Sequence, residues 1–345
     1  MTGAPQTLRG PVGELAADPQ ALAERLASLP EVPGAQTAGI LRDTVRLGAA
    51  GVADAVSADP VLDATRFRPG SLTKLLTADL LMRCVRTGRV AAHTPVADLV
   101  PGPWPAGLRV RHLVSHTSGL DCGGLFVDTG DEEDCVARYV ERLREAGTLF
   151  PPGTAFSYAN GSFVLAGRII ELVLGRPWEE AVRTELLGPL GMADTGFVTG
   201  RETPAGPAVA RGHAVRSGVL EALPARTDEP MTARAMGPAG GTLLTTAADL
   251  ARFLVAHLAS PWAATMRTLQ VPVPGGTSPL RGPGLGWLLW RGPGHDSARI
   301  GGTYPGQSGI VAVDPAAGAA IVVLTNAEQG AHAVSPLLDA GPEGR

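Results

Sequence analysis

The sequence predicts an α/β fold: an antiparallel sheet flanked by helices and built from both chain ends, with an inserted mainly helical lobe. Three observations predict it. Short apolar runs broken by Gly and Asp turns (TAGIL, VRLGAAGVADAV) fill residues 34–61 and read as two or three antiparallel strands. The same pattern returns in the tail as GLGWLLW, SGIVAVDP and AAIVVLTN, the last two joined by a Pro/Gly turn. Between them lie helical periodicities joined by Pro/Gly loops. Residues 1–75 and 236–345 are accordingly assigned to the α/β lobe and 76–235 to the helical lobe, with the active site expected between them.

The first helix should begin where Pro69-Gly70-Ser71 supplies a start signal, with Ser71 placed to cap it. In SLTKLLTADLLMRCVRTG, apolar residues Leu72, Leu75, Leu76, Leu80 and Val85 recur at helical spacing until Gly88 stops the helix. Further helices are read in DEEDCVARYVERLREAG, GSFVLAGRIIELVLG and PWEEAVRTELLGPLG. GPAGGTLLTTAADLARFLVAHLA reads as a loop feeding a helix. The acidic run from Asp131 to Asp134 is a charged helix start, favoured by the helix dipole.

With 345 residues, 44% of them apolar, the chain can bury a large core. Its net charge of −4 comes with no basic run, so neither nucleic acid nor an anionic membrane is expected as partner. A small molecule is the better default. No apolar run approaches the roughly 18 residues that span a bilayer, and the N-terminus lacks the pattern of a signal peptide. Cys84, Cys122 and Cys135 are an odd set without C-x-x-C spacing, which fits reduced structural thiols and a cytoplasmic location.

The chemistry-bearing residues fall in three blocks. Ser71 and Lys74 stand three apart on a predicted helix, so both side chains share one face near its N-terminus. Ser-x-x-Lys is a weak motif by itself, but of 29 basic residues 28 are arginine and Lys74 is the sole lysine. A guanidinium cannot be deprotonated in a protein, whereas a desolvated amine can. A surviving surface lysine would fall three residues after a serine in about one chain in 25 on these counts, so a nucleophile and its base is the favoured reading. The second block, PPGTAFSYAN, brings Tyr158, one of three tyrosines, within two residues of Asn160, one of two asparagines. A capped loop before a helix accounts for that pair equally well. In the third block, IGGTYPGQSGIVAVDP, Gly301 and Gly302 permit close backbone approach at a strand edge, although such glycines also mark bulges.

In this order the three blocks resemble the serine beta-lactamase and penicillin-binding protein superfamily, and within it the class C beta-lactamase-like esterases and acyltransferases. HLVSHTSGL (112–120), IIELVLGRPWEE followed by PLGMADTGF, and GPAGGTLLTTAADLARF extend the resemblance over nearly the whole chain. It implies Ser71 as nucleophile, Lys74 as its paired base and Tyr158 as proton shuttle. Asn160 would orient Lys74 and substrate, and the N–H groups of Ser71 and Thr303 would form an oxyanion hole. His112 and His116 are expected to be packed or hydrogen-bonded loop residues.

The chain departs from the superfamily pattern at Ile300-Gly301-Gly302, where beta-lactamases and DD-peptidases carry Lys-Thr-Gly or His-x-Gly. The cation that helps hold a substrate carboxylate is missing, and Ile300 is expected beside the oxyanion hole, making a drier site. Arg299 or His295 could reach in from the same segment, but alternation along the strand makes a solvated Arg299 the simpler expectation. The resemblance implies no metal or organic cofactor. The expected partners are a small-molecule acyl donor and acceptor, in tailoring of a small metabolite such as a natural product. The runner-up is a hydrolase of the same fold (esterase, beta-lactamase or D-aminopeptidase), and a third reading is a catalytically silent binding protein. Oligomeric state is open.

Overall fold

The computed structural model describes residues 10–198, 209–224, 229–274, 278–292 and 296–339. Seven strands form one sheet: β1 (Gly34–Leu41), β2 (Thr44–Gly51), β3 (Leu280–Pro283), β4 (Leu288–Trp290), β5 (Ser297–Tyr304), β6 (Gln307–Asp314) and β7 (Ala319–Thr325). Their order is β2-β1-β7-β6-β5-β4-β3, with every neighbouring pair antiparallel. The two chain ends thus meet where β1 pairs with β7, as the patterning predicted.

Every residue of β6 and β7 is buried, so both faces of the sheet must be covered. On one face Ile310, Ala312, Ile321 and Val323 pack against α1 (Pro11–Ala17), α2 (Pro19–Ala27) and α7 (Ser335–Asp339). On the other, Val311, Val313, Val322 and Leu324 join the larger core containing α3 (Thr73–Arg86), α4 (Cys135–Leu143), α5 (Asn160–Leu174) and α6 (Ala247–Ala259). Neither α1 nor α2 was read from the sequence, although each opens on proline, and Asp18 caps α2 by accepting the Ala21 N–H at 3.0 Å.

The helix carrying Ser71 and Lys74 departs from expectation at its start. Gly70–Leu72 form a 3₁₀ turn that runs into α3, and Ser71 makes no capping bond because its hydroxyl is engaged by Lys74. Eleven of the fourteen α3 residues are buried, so its polar side chains require internal partners. Thr77 donates to Pro238 O at 2.8 Å, and Asp79 accepts from Arg83, His257 and Trp262. The acidic run ends where expected, at the start of α4, and Glu132 and Asp134 pair there with Arg138. PWEEAVRTELLG holds one α-helical stretch, Trp178–Val182, that widens into a π turn over Arg183–Leu187.

The start of α3 lies against the end of β5. A Cβ on Gly302 would sit 2.1 Å from Pro69 O and 2.8 Å from both Ser71 N and Leu72 N. Only hydrogen fits there. Gly302→Ala is therefore expected to cost about 1–3 kcal/mol through overpacking and to slow covalent labelling of Ser71 by a fluorophosphonate; urea unfolding and the labelling rate check the two effects together.

Candidate active site

Ser71 stands at the second position of the turn that begins α3, where a backbone N–H has no intrahelical acceptor. Lys74 lies one helical turn on and is fully buried, with Nζ 2.9 Å from Ser71 Oγ and 2.6 Å from Ala239 O. Aromatic rings cover it: Nζ is 5.1 Å from the Tyr158 ring centre and 5.7 Å from that of Phe163. Burial in this apolar setting disfavours the ammonium and pushes the Lys74 pKa down to about 7.

Tyr158 borders the cavity with 37% of its surface open, while its phenol hydrogen-bonds Ser71. Desolvation raises the phenol pKa to about 12 against the opposing effect of that bond. His116 stacks on the Tyr158 ring with centroids 4.2 Å apart, and its Nδ1 accepts the Ala159 N–H at 3.0 Å. Since Nδ1 accepts, the ring proton resides on Nε2. Burial, then the nearby Lys74, hold the pKa of His116 well below the ordinary histidine value, so the ring is neutral. The expectation of a packed loop histidine holds for its surroundings, but its contact with Tyr158 left no local signal to read. His112 is likewise buried, and burial, then Arg111 and Arg109, push its pKa to about 4.

Asn160 opens α5 and lines the same cavity, but its amide nitrogen donates to Gly123 O at 2.6 Å and no bond joins it to Lys74. The lysine's second partner is the Ala239 carbonyl instead, supplied by the GPAGG loop and invisible to motif reasoning because any residue type has a carbonyl.

Gly301, Gly302 and Thr303 line the cavity, as expected. Ile300 does not. It is 3% exposed and belongs to the core on the face shared with α3, so the expectation that it dries the oxyanion region is corrected. Arg299 corrects another expectation: it borders the cavity but is 4% exposed rather than solvated. Its Nη1 pairs with Asp339 at 2.7 Å, Nη2 donates to Leu338 O at 3.0 Å and Nε to Ser297 Oγ at 2.9 Å. His295 lies outside the described residues. Phe126, Met231, Met236, Leu288 and Trp290 complete much of the wall of a cavity of about 430 Å³, and none of them was singled out from sequence.

Among the described residues no group of three or more His, Cys, Asp or Glu side chains is placed to hold a metal ion, and no helix is long and apolar enough to cross a membrane. The chemistry available is that of a hydroxyl beside a buried amine of near-neutral pKa, with a phenol in hydrogen-bond contact.

Residues 22–340 match the family model described as Beta-lactamase. The chain is 33% identical over 319 residues to penicillin-binding protein 4 of Amycolatopsis lactamdurans, covering 86% of this chain and 81% of that one. It is 32% identical over 171 residues to esterase EstB of Burkholderia gladioli, covering 44% of this chain and 43% of that one. The structure of D-amino acid amidase from Ochrobactrum anthropi SV3 in complex with D-phenylalanine superposes with a TM-score of 0.78 at 25% identity, covering 94% of this chain and 97% of that one. A match across so much of the chain, together with the Ser71–Lys74 geometry, places the protein in the Beta-lactamase family, among the beta-lactamase-like serine hydrolases.

Proposed function

We propose that this chain is a serine acyl-transfer enzyme that forms an acyl-enzyme on Ser71 from an ester, thioester or amide and passes the acyl group to an amine, an alcohol or water. One observation carries this reading: the Lys74 amine, 2.9 Å from the serine hydroxyl, with a pKa brought to about 7 by burial. Neutral Lys74 takes the Ser71 proton as Oγ bonds to the substrate carbonyl carbon. The oxyanion is held by the N–H groups of Ser71 and Thr303. As the bond to the leaving group breaks, Tyr158 gives that group a proton and recovers one from the Lys74 ammonium. Deacylation runs the same transfers in reverse, with the acceptor's proton entering through Tyr158. A phenol with a pKa near 12 is a proton donor at neutral pH, so the resting base is Lys74 and not the tyrosine. Asn160 contributes to the substrate wall.

Transfer to an organic acceptor in small-metabolite tailoring, rather than hydrolysis of carboxylate-bearing antibiotics or peptides, is favoured by the charge of the cavity. The basic residues described at its wall are Arg299, paired with Asp339, and His332. The three buried, unpaired cysteines suit a cytoplasmic setting. The penicillin-binding and esterase relatives keep plain hydrolysis as the second reading.

Intact-mass measurement after fluorophosphonate treatment tests the nucleophile: one adduct at Ser71 is expected, and its absence would return the chain to a silent binding protein. Lys74→Arg and Lys74→Met should each lower the acylation rate at least about a hundredfold in folded protein. Because burial lowers the lysine pKa, the neutral base is present above about pH 7 and lost below it. The wild-type acylation rate should therefore climb from pH 5 to pH 8 with a midpoint near 7, and a flat stopped-flow profile would exclude Lys74 as base. For Tyr158→Phe the expected loss is about 10²- to 10⁴-fold in kcat with little change in KM; a change confined to KM would make the tyrosine a binding residue. With an activated ester as donor, raising amine or alcohol to millimolar levels should divert product from free acid to amide or ester, while penicillins turn over poorly. Free acid throughout, with efficient penicillin cleavage, would establish the hydrolase instead.

A further inference from the structure

The cavity does not end at Ser71. From the nucleophile it continues past the edge of β5 onto the opposite face of the sheet, where Leu288, Trp290, Ile310 and Ala331 form apolar walls and Ser335 and Asp339 of α7 also line it. Strand pairing opens this path. β4 pairs with β5 at Ser297, Ala298 and Arg299, and past that point β5 has no neighbour on that side among the described residues.

Alternation along β5 then sets the two glycines apart. Gly302 faces α3, where a Cβ would collide. Gly301 faces the other way, opposite Ile310 in register, and a Cβ there would meet nothing closer than Gly309 O at 3.9 Å. Its φ is not in the left-handed region, so the backbone does not demand glycine either. What the missing side chain does at 301 is leave a passage open.

The charge at the end of the passage limits what can enter. Arg299 is spent on Asp339, Leu338 O and Ser297 Oγ, and its guanidinium lies 5.1 Å from the centre of the Trp290 ring. An incoming carboxylate would have to compete with Asp339 for the Arg299 guanidinium, which is already neutralised. Apolar surface on Leu288 and Trp290, each half-buried, is left for a ligand to cover. We propose that this arm is a substrate subsite for an apolar ring or branched alkyl group that bears no carboxylate. The assignment rests on the acyl-transfer reading of Ser71. Such a group could belong to the acyl part of the donor or to the alcohol or amine that leaves or accepts.

Two ester series distinguish these sources. One keeps an acetyl group and varies the alcohol from ethyl to benzyl; the other keeps p-nitrophenol and varies the acyl chain from acetyl to phenylacetyl. Wild-type enzyme should favour the bulky member of one series, and Gly301→Leu, which fills the arm, should lower that bulky-to-small ratio of kcat/KM at least tenfold. The series that responds identifies the source. A 4-carboxyl on the favoured bulky group should cost wild-type enzyme at least tenfold, and Asp339→Asn, which releases Arg299, should shrink that penalty. Should Gly301→Leu fail to fold, Trp290→Ala enlarges the arm and must change the same ratio. Equal losses for small and bulky esters in both series, or an unchanged ratio in folded variants, would overturn the subsite. Failure of wild-type Ser71 to take the fluorophosphonate would instead overturn the acyl-transfer reading on which it rests.

Discussion

The structure is organised around one amine held where water cannot reach it. Lys74 is fully buried, and its Nζ has two hydrogen-bond partners, Ser71 Oγ and Ala239 O. A charged ammonium in that place has lost its hydration without gaining a carboxylate, which is why its pKa falls to about 7. Close packing is the means. Lys74 stays dry because the turn at Gly70–Leu72, the end of β5 and the loop before Gly241 approach to distances that glycines permit, and because Tyr158 and Phe163 cover the remaining side.

That packing requires α3 to keep a fixed position, and a second buried cluster provides it. Asp79 accepts from His257 Nδ1 at 2.8 Å, Trp262 Nε1 at 2.7 Å and Arg83 Nε at 2.8 Å. Burial alone would raise the pKa of this carboxyl, but the hydrogen bonds from His257, Arg83 and Trp262 outweigh it and hold the group ionised. The Trp287 indole can only donate, and it does so to His257 Nε2 at 3.2 Å, which fixes the histidine proton on Nδ1. The cluster ties α3 to α6 and to the segment leading into β4. One end of α3 therefore holds Ser71 and Lys74 while its middle is anchored by a satisfied polar network.

The cavity around Ser71 is shaped by what its charges are already doing. Arg299 clamps α7 to the sheet, Lys74 is bonded to Ser71, and His116 is neutral beside Tyr158. Ile300, at the strand position where the resemblance led one to expect a cation, is part of the core. The fold is shared with relatives named as penicillin-binding protein, esterase and amidase. A shared fold leaves substrate choice to the residues of the cavity wall, and here these include Arg299, Gly301 and Trp290.

Sequence alone determined the elements whose signal is local. The alternation of TAGIL and AAIVVLTN gave strands, the spacing from Leu72 to Val85 gave α3, and a lone lysine three residues after a serine singled out Lys74, because a buried amine, unlike a guanidinium, can lose its proton. The antiparallel sheet joining both chain ends followed from those patterns. Tertiary structure decided everything that depends on which face a side chain takes and what meets it there. Ile300 turned into the core and Arg299 toward the cavity because strand alternation says that neighbours face opposite ways but not which face is the cavity. His116 became a partner of Tyr158, and Ala239 a partner of Lys74, through contacts between segments 42 and 165 residues apart, and a backbone carbonyl leaves no mark in a sequence. Gly301 and Gly302 are identical as letters; one is required by a contact and the other borders an opening, and only the atoms around them separate the two.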